Sequence, residues 1–357
     1  MNKRKLSLKL HEWPVDDRRA LGAAFSKGAD LFDDAGLAVS WRPDTRRKVM
    51  KSYGAFLHCL ARHNTLELRE APRERITRAN ILLFVGDLRR RSVASTTVAT
   101  MVRDLREAIR VMCPGAPCVD LILASRTLDR RAVSSRDQRD LLVAPSTLFY
   151  AGIKRMKRFK AAAASDPIAG VKYGDGLMMT MEAIKALRLR NLWGMLVEYN
   201  IIENQLDEYE LRYEPHETKT SARIRAPLPD TLEPWITHWL NEVRPMLLRV
   251  CNRKSQAMWI TSRGQDMASI TLYYRFCKAT KEETNKRINP HLCRKIIVTG
   301  IAIGAPELIE LAPGALDHTS RRHTKQAYDL ADDLAASSVV KDIVSRRRLT
   351  AIRRSKS

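Results

Sequence analysis

The chain has 357 residues, enough for two domains of ordinary size, and its 45% hydrophobic and 29% charged content excludes a disordered or fibrous chain. Lysine and arginine total 63 against 40 aspartate and glutamate, and the resulting formal charge of +23 points to a polyanionic partner, nucleic acid first and an anionic membrane surface second. The membrane reading is disfavoured: no apolar run approaches the roughly 18–20 residues of a bilayer span, and the basic residues are spread along the chain, with no anchor beside them.

The opening MNKRKLSLKL is basic, but His11-Glu-Trp-Pro14 follows where an export signal would place an apolar core, so a cytoplasmic protein is expected. Residues 17–34 can form a short helix, and the roughly 40 residues ahead of the first strong helix are few for a further DNA-binding domain. Pro43-Asp-Thr45 opens that helix, with Val49, Tyr53, Phe56, Leu57 and Leu60 on one face. Thr77 caps a second, with Ile81, Phe84, Val85 and Leu88 inward. A third starts near Ser95 and repeats Val98, Met101, Val102, Leu105, Ile109 and Met112 at helical spacing, while Arg103, Arg106 and Arg110 mark its other face. Such a face is solvated surface or a phosphate contact, the two readings standing about level.

Residues 128–144 (LDRRAVSSRDQRDLLVA) read as a linker between an N-terminal helical domain, 1–140, and a second domain, 145–357. After Pro145 a helix resumes and ends in a basic cluster, Lys154, Arg155, Lys157, Arg158 and Lys160; another covers roughly 172–186, and a short one follows to about 195. Residues 198–203, 208–213 and 222–228 then read as three short antiparallel strands, and from Thr231 the chain is helical again with breaks at Arg263-Gly264 and Pro290. The fold class is therefore mainly α with a small antiparallel β-sheet.

The six cysteines form no CxxC pair; Cys113 and Cys118 bracket a turn and fit a redox pair or metal half-site, but reduced thiols are the plainer reading. No Walker A loop, HExxH helix or glycine-rich dinucleotide fingerprint is present, so nothing in the chain demands a nucleotide cofactor or a metal.

Four strings in the second half bear on phosphate chemistry. They are Lys185-Ala-Leu-Arg188-Leu-Arg-Asn-Leu192; Lys219 at a strand turn; Pro290-His291-Leu-Cys-Arg294-Lys295; and Leu316-Asp-His318, followed ten residues on by Tyr328. Each alone has an ordinary structural explanation as helix surface, hairpin turn or capped helix start. In this order and spacing, over residues 145–335, they resemble the tyrosine recombinase (phage integrase) family, whose segments run T-G-x-R-x-x-E-L, a hairpin Lys, P-H-x-L-R-H, and L-G-H with a tyrosine nine or ten residues later.

The resemblance implies a helical core-binding domain followed by a catalytic domain, and a site-specific recombinase or integrase that clamps duplex DNA between them. Arg188 (with Arg190 as the competing choice) and Arg294 would grip the scissile phosphate, His318 would add a hydrogen bond, and Tyr328 would attack phosphorus to give a 3′-phosphotyrosyl link. His291 is the candidate base and Lys219 the candidate acid for the departing 5′-oxygen. No cofactor or metal is required, since the cations supply the positive charge. A homotetramer on DNA and an accessory directionality protein are the further partners implied, in a bacterial setting.

Three departures mark a divergent member: Asn191 where the family has Glu or Asp, Lys295 where it has His, and Asp317 where it has Gly. They keep open a DNA-binding protein of the same fold with weakened or lost catalysis. A type IB topoisomerase, which shares the chemistry, is the other alternative.

Overall fold

The computed structural model describes residues 6–28, 34–115, 118–133, 138–203 and 208–304. The chain divides into two compact units, Met1–Asp137 and Gln138–Ser357.

The first unit is helical: α1 (Val15–Phe25), α2 (Pro43–Arg62), α3 (Arg78–Arg90), α4 (Ser95–Met112) and α5 (Val119–Arg131). Pro43 opens α2 at a position whose N–H needs no partner, and the Thr77 side chain caps α3 by accepting the Asn80 N–H at 3.1 Å. The apolar stripes read from the sequence are buried together: Tyr53, Phe56, Leu57 and Leu60 of α2 meet Phe84 and Leu88 of α3 and Val102 and Leu105 of α4 in one core. Each such fully buried side chain contributes about 1.5–3 kcal/mol. The region read as a linker is corrected at its front, because Leu128–Arg131 form the last turn of α5. The basic face of α4 is partly neutralised within the unit. Arg103 pairs with Asp129, while Arg106 and Arg110 share Glu107.

The second unit begins with α6 (Pro145–Ala163) and α7 (Pro167–Ile184), followed by α8 (Leu189–Trp193). Helix α7 starts five residues earlier than the apolar pattern suggests, because Asp166 caps it by accepting the Ile168 and Ala169 N–H groups at 2.9 and 3.3 Å. Two glycines let α6 and α7 touch backbone to backbone: a Cβ on Gly152 would lie 2.6 Å from the Gly176 carbonyl oxygen, and one on Gly176 2.8 Å from that of Gly152.

The basic end of α6 is partly neutralised too. Arg155 is buried and bonds Asp175, Glu282 and Glu283, and Arg158 takes Glu283 as well, so these two arginines are tied up in an ion network.

Strands β1 (Ile201–Glu203), β2 (Tyr209–Tyr213) and β3 (Ile224–Pro227) form an antiparallel sheet in that order, with Ile201 opposite Leu211 and Tyr213 opposite Ile224. Along β2, Tyr209, Leu211 and Tyr213 face the core while Glu210 and Arg212 face away. The first strand is shorter than read, since Glu198 turns the chain with a φ of 65°. Helices α9 (Glu233–His238) and α10 (Arg244–Arg249) join through one π turn, and α11 (Ser269–Thr284) and α12 (Pro290–Gly304) follow. The break expected at Arg263-Gly264 in the helical stretch after Thr231 is therefore present but wider, spanning residues 252–268. Residues 252–268 run as turns and short bridges, held by Met258 N–H to Met195 and Trp259 Nε1 to the Leu192 carbonyl.

Candidate active site

Helix α7 delivers the first candidate. It is apolar and buried almost throughout, and it ends when the Lys185 N–H closes on the Met181 carbonyl at 2.9 Å. The chain then runs extended to Arg188, whose φ and ψ of −68° and 143° make it the N-cap of α8. Its carbonyl accepts the Asn191 and Leu192 N–H groups at 2.7 and 3.0 Å. The half-buried Arg188 guanidinium reaches Thr220 Oγ1 at 3.4 Å. Arg190, two residues further, is exposed.

Thr220 lies in the hairpin that joins β2 to β3, beside the exposed Lys219. Five hydrogen bonds fix that hairpin. Glu217 accepts the Asn200 side-chain amide at 3.0 Å and the Glu214 N–H at 2.7 Å. Buried Thr218 donates to the Ala222 carbonyl at 2.8 Å. Asn191 spans from α8 to the Glu217 carbonyl at 3.4 Å, and the Tyr213 hydroxyl donates to the Asn191 carbonyl at 3.0 Å. The hairpin is thus stitched to α8, which brings the Lys219 segment alongside Arg188.

Arg294 comes from α12. Pro290 opens this helix, and Asn289 caps it by accepting the Leu292 N–H at 3.0 Å. Leu292, Cys293, Ile296 and Ile297 face the core with Arg294, which is only 4% exposed. Arg294 Nη1 donates to the Ala186 carbonyl at 2.7 Å, so the second arginine grips the backbone two residues ahead of the first. His291, expected to share a face with Arg294, is exposed at the helix start, and Lys295 bonds Gln138 from the outside at 2.9 Å. The structure thus links Arg188, the Lys219 hairpin and Arg294. His318, Tyr328 and Asp317 lie outside the described residues.

Glu182 was not among the residues singled out from the sequence. It is fully buried in the last turn of α7, where Oε1 accepts the Leu187 N–H at 3.0 Å. Burial holds its carboxyl well above the usual carboxylate range, against the opposing pull of the Leu187 N–H and the Arg294 charge. Burial, and then the Glu182 charge, push the neighbouring Cys293 thiol up strongly. A lone carboxylate in the run Leu177-Met-Met-Thr-Met-Glu182-Ala-Ile184 was the available signal.

Elsewhere among the described residues, Cys59, His63 and Asp87 bring ligand-type atoms within 4.8 Å of one another. Both Asp87 oxygens are already engaged, by Arg62 at 3.1 Å and Arg91 at 3.2 Å. Burial raises the Cys59 thiol to about 11 and the Asp87 charge adds to this, while Arg62, Arg90 and Arg91 pull the other way. These arginines oppose a further cation, and Asp87 reads as their anchor.

No protein-family model and no curated protein matches the sequence. Solved structures similar to it include the following two. The crystal structure of XerA recombinase aligns over 82% of this chain and 92% of that one, at 13% identity and a TM-score of 0.36. The Tn1549 transposon integrase, in complex with a circular intermediate DNA, aligns over 81% of this chain and 90% of that one, at 14% identity and a TM-score of 0.48. Both of these neighbours are tyrosine recombinases.

Proposed function

We propose that the chain is a DNA strand transferase of the recombinase or integrase type, which cleaves and rejoins duplex DNA through a phosphotyrosyl intermediate. The observation that carries the reading is the Arg294–Ala186 contact, which ties α12 to the turn bearing Arg188 while Arg188 itself reaches the Lys219 hairpin. Two arginines and the hairpin that carries Lys219, three separate elements, are thereby linked. Planar forks suit the nonbridging oxygens of a phosphodiester and stay charged throughout. A formal charge of +23 supplies the attraction for the polyanion.

In the proposed reaction the Tyr328 oxygen attacks phosphorus and the bond from phosphorus to the 5′-oxygen breaks. The tyrosine proton passes to His291, and the departing 5′-oxygen takes a proton from Lys219. His318 and the two arginines stabilise the charge that builds on the phosphoryl oxygens. Religation runs the same steps in reverse, with a second 5′-hydroxyl as the attacking group. A homotetramer on paired sites, aided by a directionality partner, is the assembly this chemistry would use to exchange strands.

A binding-only protein of the same fold is the second reading. The burial of Arg294 favours it, since a side chain 4% exposed with Nη1 on a carbonyl presents little surface to a phosphate. A nicked suicide duplex separates the two. The transferase reading expects a denaturation-resistant protein–DNA adduct that disappears in Tyr328→Phe. Adduct that persists in that variant sinks the nucleophile assignment, and a wild type that binds duplex without forming adduct favours the binding-only protein.

A further inference from the structure

The peptide group between Ala186 and Leu187 is held at both edges. Its carbonyl accepts the bond from Arg294 at 2.7 Å, and its N–H donates to Glu182 at 3.0 Å. The bond is trans, so the two groups point in opposite directions and the two side chains grip opposite sides of one plane. An N–H donated to a carboxylate also makes the carbonyl of the same peptide a better acceptor, so each contact strengthens the other. The residue after this peptide is Leu187, 1% exposed, and the next is Arg188. The direction in which the chain presents Arg188 is therefore set by Glu182 from α7 and Arg294 from α12.

Ordinary helix capping does not account for Glu182. The end of α7 is already closed by Lys185 N–H on Met181, and a C-terminal cap must satisfy carbonyls, whereas Glu182 Oε1 accepts an N–H beyond the helix end. A buried carboxyl in an apolar helix is costly unless it is engaged; Glu182 Oε1 is engaged, while Oε2 has no hydrogen-bond partner among the described residues. The amide of Asn191, by contrast, turns to the Glu217 carbonyl and braces the hairpin.

We infer that Glu182 is a positioning residue, which fixes the register between Arg188 and Arg294 by holding the peptide that Arg294 also holds. The inference rests on the strand-transfer reading for its consequence in catalysis, but the clamp itself is a property of the fold.

The test uses the full-length chain and three variants. Glu182→Met fills the space without an acceptor, Glu182→Gln restores an oxygen for the Leu187 N–H, and Glu182→Asp withdraws the carboxyl by one methylene. Amide exchange over residues 185–192, single-turnover cleavage of the suicide duplex at saturating DNA, and duplex affinity are measured together. In Glu182→Met, exchange in this segment should quicken about tenfold, as expected for local opening. Cleavage should slow by about a hundredfold, the scale of a 1 Å misplacement. Affinity, spread over many phosphates, should stay within about twofold. Glu182→Gln should recover both exchange and cleavage.

Unchanged exchange in Glu182→Met overturns the clamp. Faster exchange with undiminished cleavage overturns the positioning role, as does a loss of affinity in proportion to the loss of rate. If circular dichroism shows that Glu182→Met does not fold, Glu182→Asp is read against the same expectations. A wild type that forms no adduct overturns the strand-transfer reading alone, and the exchange comparison then decides the clamp by itself.

Discussion

Arg294 donates a 2.7 Å hydrogen bond to the carbonyl of Ala186, so a residue on α12 holds the backbone that leads into Arg188. A lysine at 294 would keep the charge but lose the fork, and one ammonium cannot serve a carbonyl and a phosphate in the same planar geometry. Arg294→Lys should therefore form adduct about a hundredfold more slowly while binding duplex within about twofold, since one contact among many sets little of the affinity. Single-turnover cleavage alongside fluorescence anisotropy checks this. Cleavage at the wild-type rate would remove Arg294 from the phosphate site and leave it a purely structural arginine.

Lys219 is exposed at the hairpin, next to the Thr220 hydroxyl that Arg188 reaches. As proton donor to the leaving 5′-oxygen it should be worth about a hundredfold or more in rate. Lys219→Ala should lose that factor on an ordinary duplex and regain most of it when the 5′-bridging oxygen is sulfur, because a thiolate leaves without a proton. Equal impairment on both substrates would assign Lys219 to phosphate binding instead.

What the sequence disclosed follows the range of the interactions involved. The Thr77 cap, the buried stripe of α2 and the alternation of Tyr209, Leu211 and Tyr213 are local patterns, and each lies where periodicity puts it. Arg188, Lys219 and Arg294 could be picked out because their order along the chain carried the resemblance. The role of Glu182 could not, because its neighbour Arg294 is 112 positions away and the link between them is a backbone peptide. The burial of Arg155 was out of reach for the same reason: its carboxylates at 282 and 283 come from α11, 127 and 128 positions away, so the sequence showed only a basic helix end. The turns and bridges at 252–268 were hidden by Met258-Trp-Ile260, an apolar run that reads equally well as helix or extended chain.

Electrostatic attraction should dominate DNA binding. Arg103, Arg106 and Arg110 are paired with acids on their own unit, so the net charge of +23 does not say which cations meet phosphates, and the phosphate count must be measured, not inferred from composition. If about six phosphates are neutralised, affinity for duplex should fall by about a thousandfold between about 50 and 200 mM salt. A flat response would remove DNA as the main partner.

In the first unit, Arg75 and Asp17 form a fully buried ion pair at 2.5 Å, and the Tyr53 hydroxyl donates to the same carboxylate. Arg75→Met should destabilise the chain by about 3–5 kcal/mol, because it leaves a buried charge without its partner. Adding Asp17→Asn should recover part of that loss in denaturant midpoints. Burial holds the Asp17 carboxyl above the usual 3.8, despite Tyr53 and Arg75. The folded chain therefore binds this proton more tightly than the unfolded one. Stability from this group is full below about pH 4 and declines as pH rises through the folded pKa. Asp17→Asn should flatten that segment of the stability profile; an unchanged profile would show that Asp17 does not titrate with folding.

The alkaline side depends on buried phenols. Burial, with the charges of Glu182 and Glu217 adding to it, pushes the Tyr213 hydroxyl well above 10, and Tyr53 is displaced in the same direction by burial and Asp17. Their contribution to stability is fully present below pH 10, the unfolded value, and is lost as pH rises through the folded pKa, because the unfolded chain releases these protons first. Urea midpoints should accordingly hold up to about pH 9 and fall steeply above about pH 10. Tyr213→Phe should cost about 1 kcal/mol at neutral pH, through the lost bond to the Asn191 carbonyl, and should make the alkaline fall shallower. Since that bond helps tie α8 to the hairpin, the same variant should also slow cleavage more than it weakens duplex binding. A variant with wild-type alkaline sensitivity and wild-type cleavage would show that Tyr213 neither carries the linkage nor braces the Arg188 segment.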